Sequence, residues 1–143
     1  MIAILDYNAG NLTSVQLALR ETGLDAVITR DANVIAAAER LIFPGVGAAG
    51  SAMEGLRELN LEKTVRDFVA TGKPFLGICI GCQVILETSE EDGGTSCLGI
   101  FSGSVKGFKP GPGIKVPHMG WNQVRFARKH PVIDGIPDGA EFY

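Results

Sequence analysis

The chain has 143 residues and carries 13 Lys+Arg against 16 Asp+Glu, a net charge of −3. That length fits a single domain over residues 1–143 and is enough to bury a core without disulfide or metal staples. Hydrophobic residues at 45% and charged residues at 20% exclude a disordered chain, and the acidic balance argues against a general nucleic-acid binder. The charge is uneven. Residues 1–97 hold 7 basic and 13 acidic side chains, residues 98–143 hold 6 and 3, which marks either a partner-facing or phosphate-facing surface or a plain solvated one. The longest charge-free apolar stretch, Pro74 to Leu86, falls short of the ~18 residues of a membrane span. The start, Met1 to Asp6, lacks the basic leader and long apolar segment of a signal peptide. Three cysteines cannot all pair, and a reduced, cytoplasmic setting is the expectation. Glycine, at 19 residues, is well above the usual ~7%, so several places need positive φ or close backbone approach.

In chain order, Ile2-Ala3-Ile4-Leu5 reads as a buried strand. Leu12, Val15 and Leu19 then recur at helical spacing, with Asn11 as a possible N-cap and Gly23 as a stop. Ala26–Thr29 and Leu41–Phe43 read as further strands. Met53, Leu56 and Leu59 suit one helix face, and Leu61, Val65, Phe68 and Val69 another that closes at Gly72. Pro74 to Ile78 is a strand that runs into a helix from Gly81 to Leu86. Fully apolar strands separated by helices predict an α/β fold with a parallel sheet covered on both faces. After Glu87 the pattern changes. Residues 89–97 form a polar loop, and Leu98–Phe108 and Val116–Phe126 read as short strands that extend the sheet in antiparallel fashion. Lys109-Pro110-Gly111-Pro112-Gly113 is a turn cluster.

The chemistry is concentrated in Phe75-Leu76-Gly77-Ile78-Cys79-Ile80-Gly81-Cys82-Gln83. A strand ends and a helix begins around Cys79, with a glycine two places before and two places after. A nucleophile elbow needs that arrangement, because the turn is too sharp for flanking side chains. Cys79 also lies over a helix N-terminus, where the dipole favours negative charge, and the Ile80 N–H is placed to meet an oxyanion. The alternatives are a buried cysteine in a glycine-rich strand end and a C-x-x-C redox pair of Cys79 with Cys82. Two cysteines and isolated histidines make too few ligands for a metal. Cys97 reads as structurally incidental. A second glycine-rich turn, Phe43-Pro44-Gly45-Val46-Gly47, exposes backbone N–H groups to a negatively charged atom and lacks the Lys-Ser/Thr ending of a P-loop.

Gly77 to Gln83 and Pro44 to Gly47 together resemble the nucleophile elbow and oxyanion strand of the class I, triad-type glutamine amidotransferases, whose sheet is flavodoxin-like with a parallel core and a mixed periphery. Asp6-Tyr7-Asn8-Ala9-Gly10-Asn11-Leu12 and Lys115-Val116-Pro117-His118-Met119-Gly120-Trp121-Asn122 narrow the resemblance to the glutaminase subunits of imidazole glycerol phosphate synthase. The resemblance implies that Cys79 attacks the side-chain amide of L-glutamine and forms a glutamyl thioester. It implies that Val46, Gly47 and Ile80 supply the oxyanion hole, and that Gln83 and Glu91 hold the bound glutamine, the Glu91 carboxylate at its α-ammonium. Asn11, His118, Met119 and Trp121 match the side facing a (βα)8-barrel cyclase subunit, to which ammonia passes. Asn11 could instead be a helix cap and Trp121 a packed aromatic. No metal, cofactor, nucleic acid or membrane is called for.

The chain departs from the family pattern at Cys82, where methionine is the commoner residue, and at its end. Family members continue past the segment matching Glu141-Phe142-Tyr143 and supply a histidine and a glutamate that complete the triad. The expectation is therefore a fragment, poorly active by itself, with a shortened docking module as the alternative. His118 and His130 are the histidines present; His118 is assigned to the partner-facing loop rather than to the base, and His130 to an exposed loop.

Overall fold

The computed structural model describes residues 1–113 and 115–143. The chain divides into two compact units, residues 1–107 and 108–143.

The first unit is built on four parallel strands: β1 (Ile2–Leu5), β2 (Ala26–Thr29), β3 (Arg40–Phe43) and β4 (Phe75–Gly77), in the order β2-β1-β3-β4. Each is short and apolar, and β1 and β3 are central because both of their edges are paired. Ladder register places Ile4 opposite both Ile28 and Ile42, and Phe43 opposite Gly77. Strand alternation then separates two cores. Ile2, Ile4 and Ile42 face α1 (Leu12–Glu21), meeting its Leu12, Val15 and Leu19. Ala3, Leu5, Leu41 and Phe43 face the other way and pack with side chains of α2 (Ala32–Ala37), α3 (Ala49–Glu58) and α4 (Glu62–Ala70). This second core is the larger, and includes Met53, Leu56, Val65 and Phe68.

The four expected strands of the parallel sheet and the helices α1, α3 and α4 form, whereas of the expected Leu98–Phe108 strands only Ser104–Val105 does. The six-residue α2 was not expected; Asp31 nucleates it, accepting the N–H groups of Asn33 and Val34, as an N-cap carboxylate does. The helix expected over Gly81–Leu86 is one turn, α5 (Ile80–Gln83). Beyond it Leu86 N–H donates to the Gln83 carbonyl in a three-residue turn, and the free carbonyls of Val84, Ile85 and Leu86 accept N–H groups from Leu98 to Phe101. The polar loop is more ordered than expected. β5 (Thr88–Ser89) pairs antiparallel with β6 (Thr95–Ser96) and parallel with β7 (Ser104–Val105). These strands form a sheet of their own, so the expected antiparallel extension of the main sheet is corrected.

In the second unit β8 (Asn122–Gln123) and β9 (Glu141–Phe142) pair antiparallel, shorter than the Val116–Phe126 strand expected. Val124 continues the ladder in both directions with residues 139 and 140, and Arg125 pairs with Asp138 at 3.3 Å. A single 3-10 turn covers Pro131–Ile133.

Candidate active site

Three loops leave the main sheet at the carboxyl ends of neighbouring parallel strands: residues 6–11 after β1, 44–48 after β3, and 78–79 after β4. Open α/β sheets bind their ligands outside these strand ends, since there the loops converge on a rigid base.

The sharpest turn is at Cys79, with φ 53° and ψ −117°. This region is costly for a residue with a Cβ, of the order of 1–3 kcal/mol. Three backbone bonds hold it: Ile78 N–H donates to the Phe43 carbonyl at 3.0 Å, Gly81 N–H to Ile78 at 3.0 Å, and Cys82 N–H to Cys79 at 2.9 Å. The flanking glycines answer to space rather than to φ. A Cβ on Gly77 would lie 2.7 Å from the Cys82 Cα, and one on Gly81 would lie 1.8 Å from the Phe43 carbonyl oxygen. Cys79 itself is exposed. The chain thus spends strain and two glycines to hold one thiol outside the fold, and a buried structural cysteine is excluded. The Cys82 thiol, also free, donates to the Cys79 carbonyl at 2.9 Å. Because α5 is one turn long, the summed dipole expected behind Cys79 is a fraction of that of a full helix.

The 44–47 loop lies against the elbow. A Cβ on Gly45 would sit 2.7 Å from the Ile80 Cβ and 2.8 Å from the Gly81 nitrogen. Pro44 and Gly45 are buried, Val46 and Gly47 exposed, and Gly47 takes a positive φ of 87°. Among the described residues none of the N–H groups of Val46, Gly47 and Ile80 donates to a protein acceptor. Backbone donors left open next to a strained thiol are what an anion-stabilising site requires.

Gln83, the last residue of α5, buries its side-chain carbonyl oxygen without a partner. Glu91 is exposed at the start of a 3-10 turn, and its Oε2 accepts the Ala49 N–H at 2.9 Å. It thereby caps α3, whose own N-cap residue, Ala48, has no side chain able to do so. One Glu91 oxygen is therefore committed to the helix that follows the 44–48 loop. The capping went unread in the sequence because the two residues lie 42 apart; the signal was the pair of alanines opening a helix. Asn11 occupies the N-cap position of α1 but makes no capping bond, and is exposed. The cap alternative is thus not realised.

Tyr7 was not singled out; it lies beneath the 44–47 loop, its hydroxyl 3.0 Å from where a Cβ on Gly45 would sit. It is buried, packs edge-on to Phe43 at 5.1 Å, and its hydroxyl has no hydrogen-bond partner. Burial, with the charge of Cys79 second, pushes its pKa up to about 12. Asp6 beside it holds the loop. Burial raises the carboxyl, but the Arg30 hydrogen bond, the Asn8 N–H and the Arg30 charge outweigh that and leave it below the usual range. Cys97 is half-buried, its thiol pushed up by burial against the opposing Arg57 charge; it has no place in the elbow.

The remaining residues lie in the second unit. His118, Met119 and Trp121 are exposed, and Trp121 meets Tyr143 edge-on at 5.9 Å. The His130 Nδ1 accepts the Val132 N–H at 3.2 Å and caps its own turn. The first unit contains no histidine. Among the described residues no cluster of His, Cys, Asp or Glu is placed to hold a metal, and no helix is long and apolar enough to cross a membrane.

A strained cysteine at a strand–helix turn, with a glycine-rich loop of open N–H groups on the adjoining strand, is the arrangement of a cysteine amidotransferase. The family model for class-I glutamine amidotransferases matches residues 3–142, and the chain belongs to that family. Within it, the curated relatives are HisH subunits of imidazole glycerol phosphate synthase. The HisH protein of Pseudomonas syringae pv. syringae is 49% identical, over 99% of this chain and 69% of its own length. That of Rhodopirellula baltica is 50% identical, over 100% of this chain and 69% of its own. The chain therefore spans about 69% of the length of these relatives. A solved glutamine amidotransferase shares the fold with a TM-score of 0.62 at 24% identity, over 73% of this chain and 55% of that structure.

Proposed function

We propose that this chain carries the glutamine-hydrolysing centre of an imidazole glycerol phosphate synthase, releasing ammonia for use in histidine biosynthesis. The observation that carries the reading is the backbone of Cys79, held at positive φ between two glycines that have no room for a side chain. In the reaction the Cys79 Sγ attacks the side-chain amide carbon of glutamine. The carbonyl oxygen becomes an oxyanion, received by the N–H groups of Val46, Gly47 and Ile80. The carbon–nitrogen bond then breaks, the thiol proton leaves with the amine as ammonia, and a glutamyl thioester remains. Water hydrolyses the thioester to glutamate and restores the thiol. The unpartnered Gln83 oxygen suits an N–H of the bound glutamine, and the free oxygen of Glu91 suits its α-ammonium. Proton transfer requires a base, and none of the side chains in residues 1–107 is a histidine; the chain's two histidines both belong to residues 108–143.

The partner is a cyclase subunit of (βα)8-barrel form, met through Asn11, His118, Met119 and Trp121. Asn11 supports this by leaving its side chain uncapped, and Met119 and Trp121 by standing in solvent at 69% and 71% exposure, as side chains of an interface do before it forms. The setting is the cytoplasm.

The decisive test is labelling by a glutamine-analogue diazoketone, followed by peptide mass mapping. The expected result is a single adduct on Cys79, absent from a Cys79→Ala variant that unfolds at the same temperature. An adduct that persists in Cys79→Ala, or that sits on Cys82, overturns the assignment.

A further inference from the structure

We propose that Glu91 is a positioning residue for the oxyanion loop: the hydrogen bond from the Ala49 N–H to its carboxylate fixes the far end of residues 44–48, and with it the direction of the Gly47 N–H. The inference rests on the reading of that loop as an oxyanion hole. It gives Glu91 a task besides the one at the α-ammonium of glutamine.

The loop is a span between two anchors. At its near end Pro44 and Gly45 are buried, and Gly45 is pressed against Ile80 and Gly81 with no room for a Cβ. At its far end the Ala49 N–H donates to the Glu91 Oε2 at 2.9 Å. Between these ends, among the described residues, the N–H groups of Val46, Gly47 and Ala48 meet no protein acceptor. Val46 is exposed, and Gly47 holds a positive φ of 87°, in a residue that turns freely to either sign. Backbone donors stabilise an oxyanion when their direction is set before the charge develops. A span with no bonds of its own takes that direction from its ends. Ala49 follows Gly47 by two residues, so without the bond to Glu91 the Gly47 peptide is held from one side alone.

Glu91 is itself firmly held. Its N–H donates to the Ser89 Oγ at 3.3 Å, and Ser89 is buried at 2% exposure. Its carbonyl accepts the Gly94 N–H at 2.9 Å, and Asp92 after it is kept at φ 54° and ψ 33°, a left-handed conformation uncommon in a residue with a Cβ. The whole turn lies against the start of α3: a Cβ on Gly50 would meet the Asp92 Oδ2 at 3.4 Å and the Thr95 Oγ1 at 3.6 Å. Capping the helix does not by itself call for so distant a residue. Ala48, at φ −108° and ψ 155°, already has the extended backbone of an N-cap, and a serine there would reach the N–H groups of Gly50 or Ser51. It would leave untouched the Ala49 N–H, the one nearest the loop. A cap and a clamp on the loop can therefore be separated.

The experiment removes the clamp and keeps the cap. Glu91→Ala and Glu91→Gln are each made in an Ala48→Ser background and compared with Ala48→Ser alone; the amide oxygen of Glu91→Gln still accepts the Ala49 N–H, without the charge. Amide-nitrogen relaxation measured by NMR reads the loop directly. Order parameters of Gly47 and Ala48, about 0.85 where Glu91 is present, are expected to fall below about 0.6 in Glu91→Ala and to stay high in Glu91→Gln, with similar urea midpoints throughout. Labelling of Cys79 by the glutamine-analogue diazoketone is then followed against reagent concentration. Glu91→Ala is expected to lose about tenfold in limiting rate, whereas the loss in Glu91→Gln falls on the half-saturating concentration. Order parameters unmoved by Glu91→Ala, or a limiting rate that holds when they fall, overturn the inference, since Glu91 then does no more than cap α3. A Cys79 left unlabelled at every concentration in the unaltered chain refutes the nucleophile reading instead, while the order parameters still decide whether Glu91 holds the loop.

Discussion

Residues 1–107 and 108–143 use their apolar side chains in opposite ways. Among the described residues every buried apolar one, from Ile2 to Leu98, belongs to the first unit. None of the described residues of the second is buried, and Phe108, Met119, Trp121 and Tyr143 stand in solvent. The first unit organises itself by excluding space, down to glycines with no room for a methyl group. Among its described residues the second is held by a short ladder, the Arg125–Asp138 ion pair and local turns, and presents aromatic area outward. Substitutions should therefore register as folding defects in the first unit and as binding defects in the second.

The largest effect is expected where the packing is tightest. Gly81→Ala would set a Cβ 1.8 Å from the Phe43 carbonyl oxygen. That oxygen also anchors the elbow through Ile78, so the backbone must yield and the bond is lost. A destabilisation of about 3 kcal/mol or more is expected, at the upper end of overpacking costs. Gly107→Ala, at a glycine with nothing within 4 Å and no positive φ, should stay within about 0.5 kcal/mol. Urea unfolding of the two variants checks the contrast. Equal midpoints would show that the elbow is pliable and that its strain has no structural cause.

The elbow was readable from sequence because its requirement is local: glycines two places either side of one cysteine. The four main strands were readable for the same reason, each a contiguous apolar run. What escaped depends on long-range pairing. The carbonyls of Val84–Leu86, beyond the end of α5, are taken up by N–H groups of residues 98–101, a partner that no local pattern announces. The separate sheet of β5, β6 and β7 rests on two-residue strands with no alternation to read. The bond by which Glu91 caps α3 joins residues 42 apart. Tyr7 read as part of a recognisable stretch, and its packing under Gly45, with a buried hydroxyl that has no partner, is visible in the structure alone.

The second unit supplies the converse case. Trp121→Ala removes an exposed ring whose one aromatic contact is Tyr143, worth at most about 1 kcal/mol to folding. An interface tryptophan, by contrast, commonly costs about 2 kcal/mol or more of binding when truncated. The expected result is an unchanged unfolding midpoint together with a roughly thirtyfold loss of affinity for the cyclase subunit, read by calorimetry. Loss of stability with affinity intact would reverse the distinction between the two units.

The smallest expected effect compares one carboxylate from each. Asp6 pairs with Arg30 and accepts the Asn8 N–H, and its side chain is 21% exposed. Asp138 pairs with Arg125 and accepts the Phe126 N–H, but its side chain is 55% exposed. Solvent screens the second pair more, so Asp6→Asn should cost roughly 1 kcal/mol at neutral pH and Asp138→Asn less. The pH dependence separates them further. The folded-state pKa of Asp6 lies below its ordinary value, so the unfolded chain takes up a proton first as the solution is acidified. The stabilisation from Asp6 is complete above the unfolded pKa of about 3.9 and is lost as pH falls through the lower folded value. Asp6→Asn should therefore flatten the stability curve below about pH 4, converging with the unaltered chain in acid while remaining weaker at neutrality. A constant offset at every pH would mean that Asp6 holds the 6–11 loop by shape alone and that its charge contributes nothing to stability.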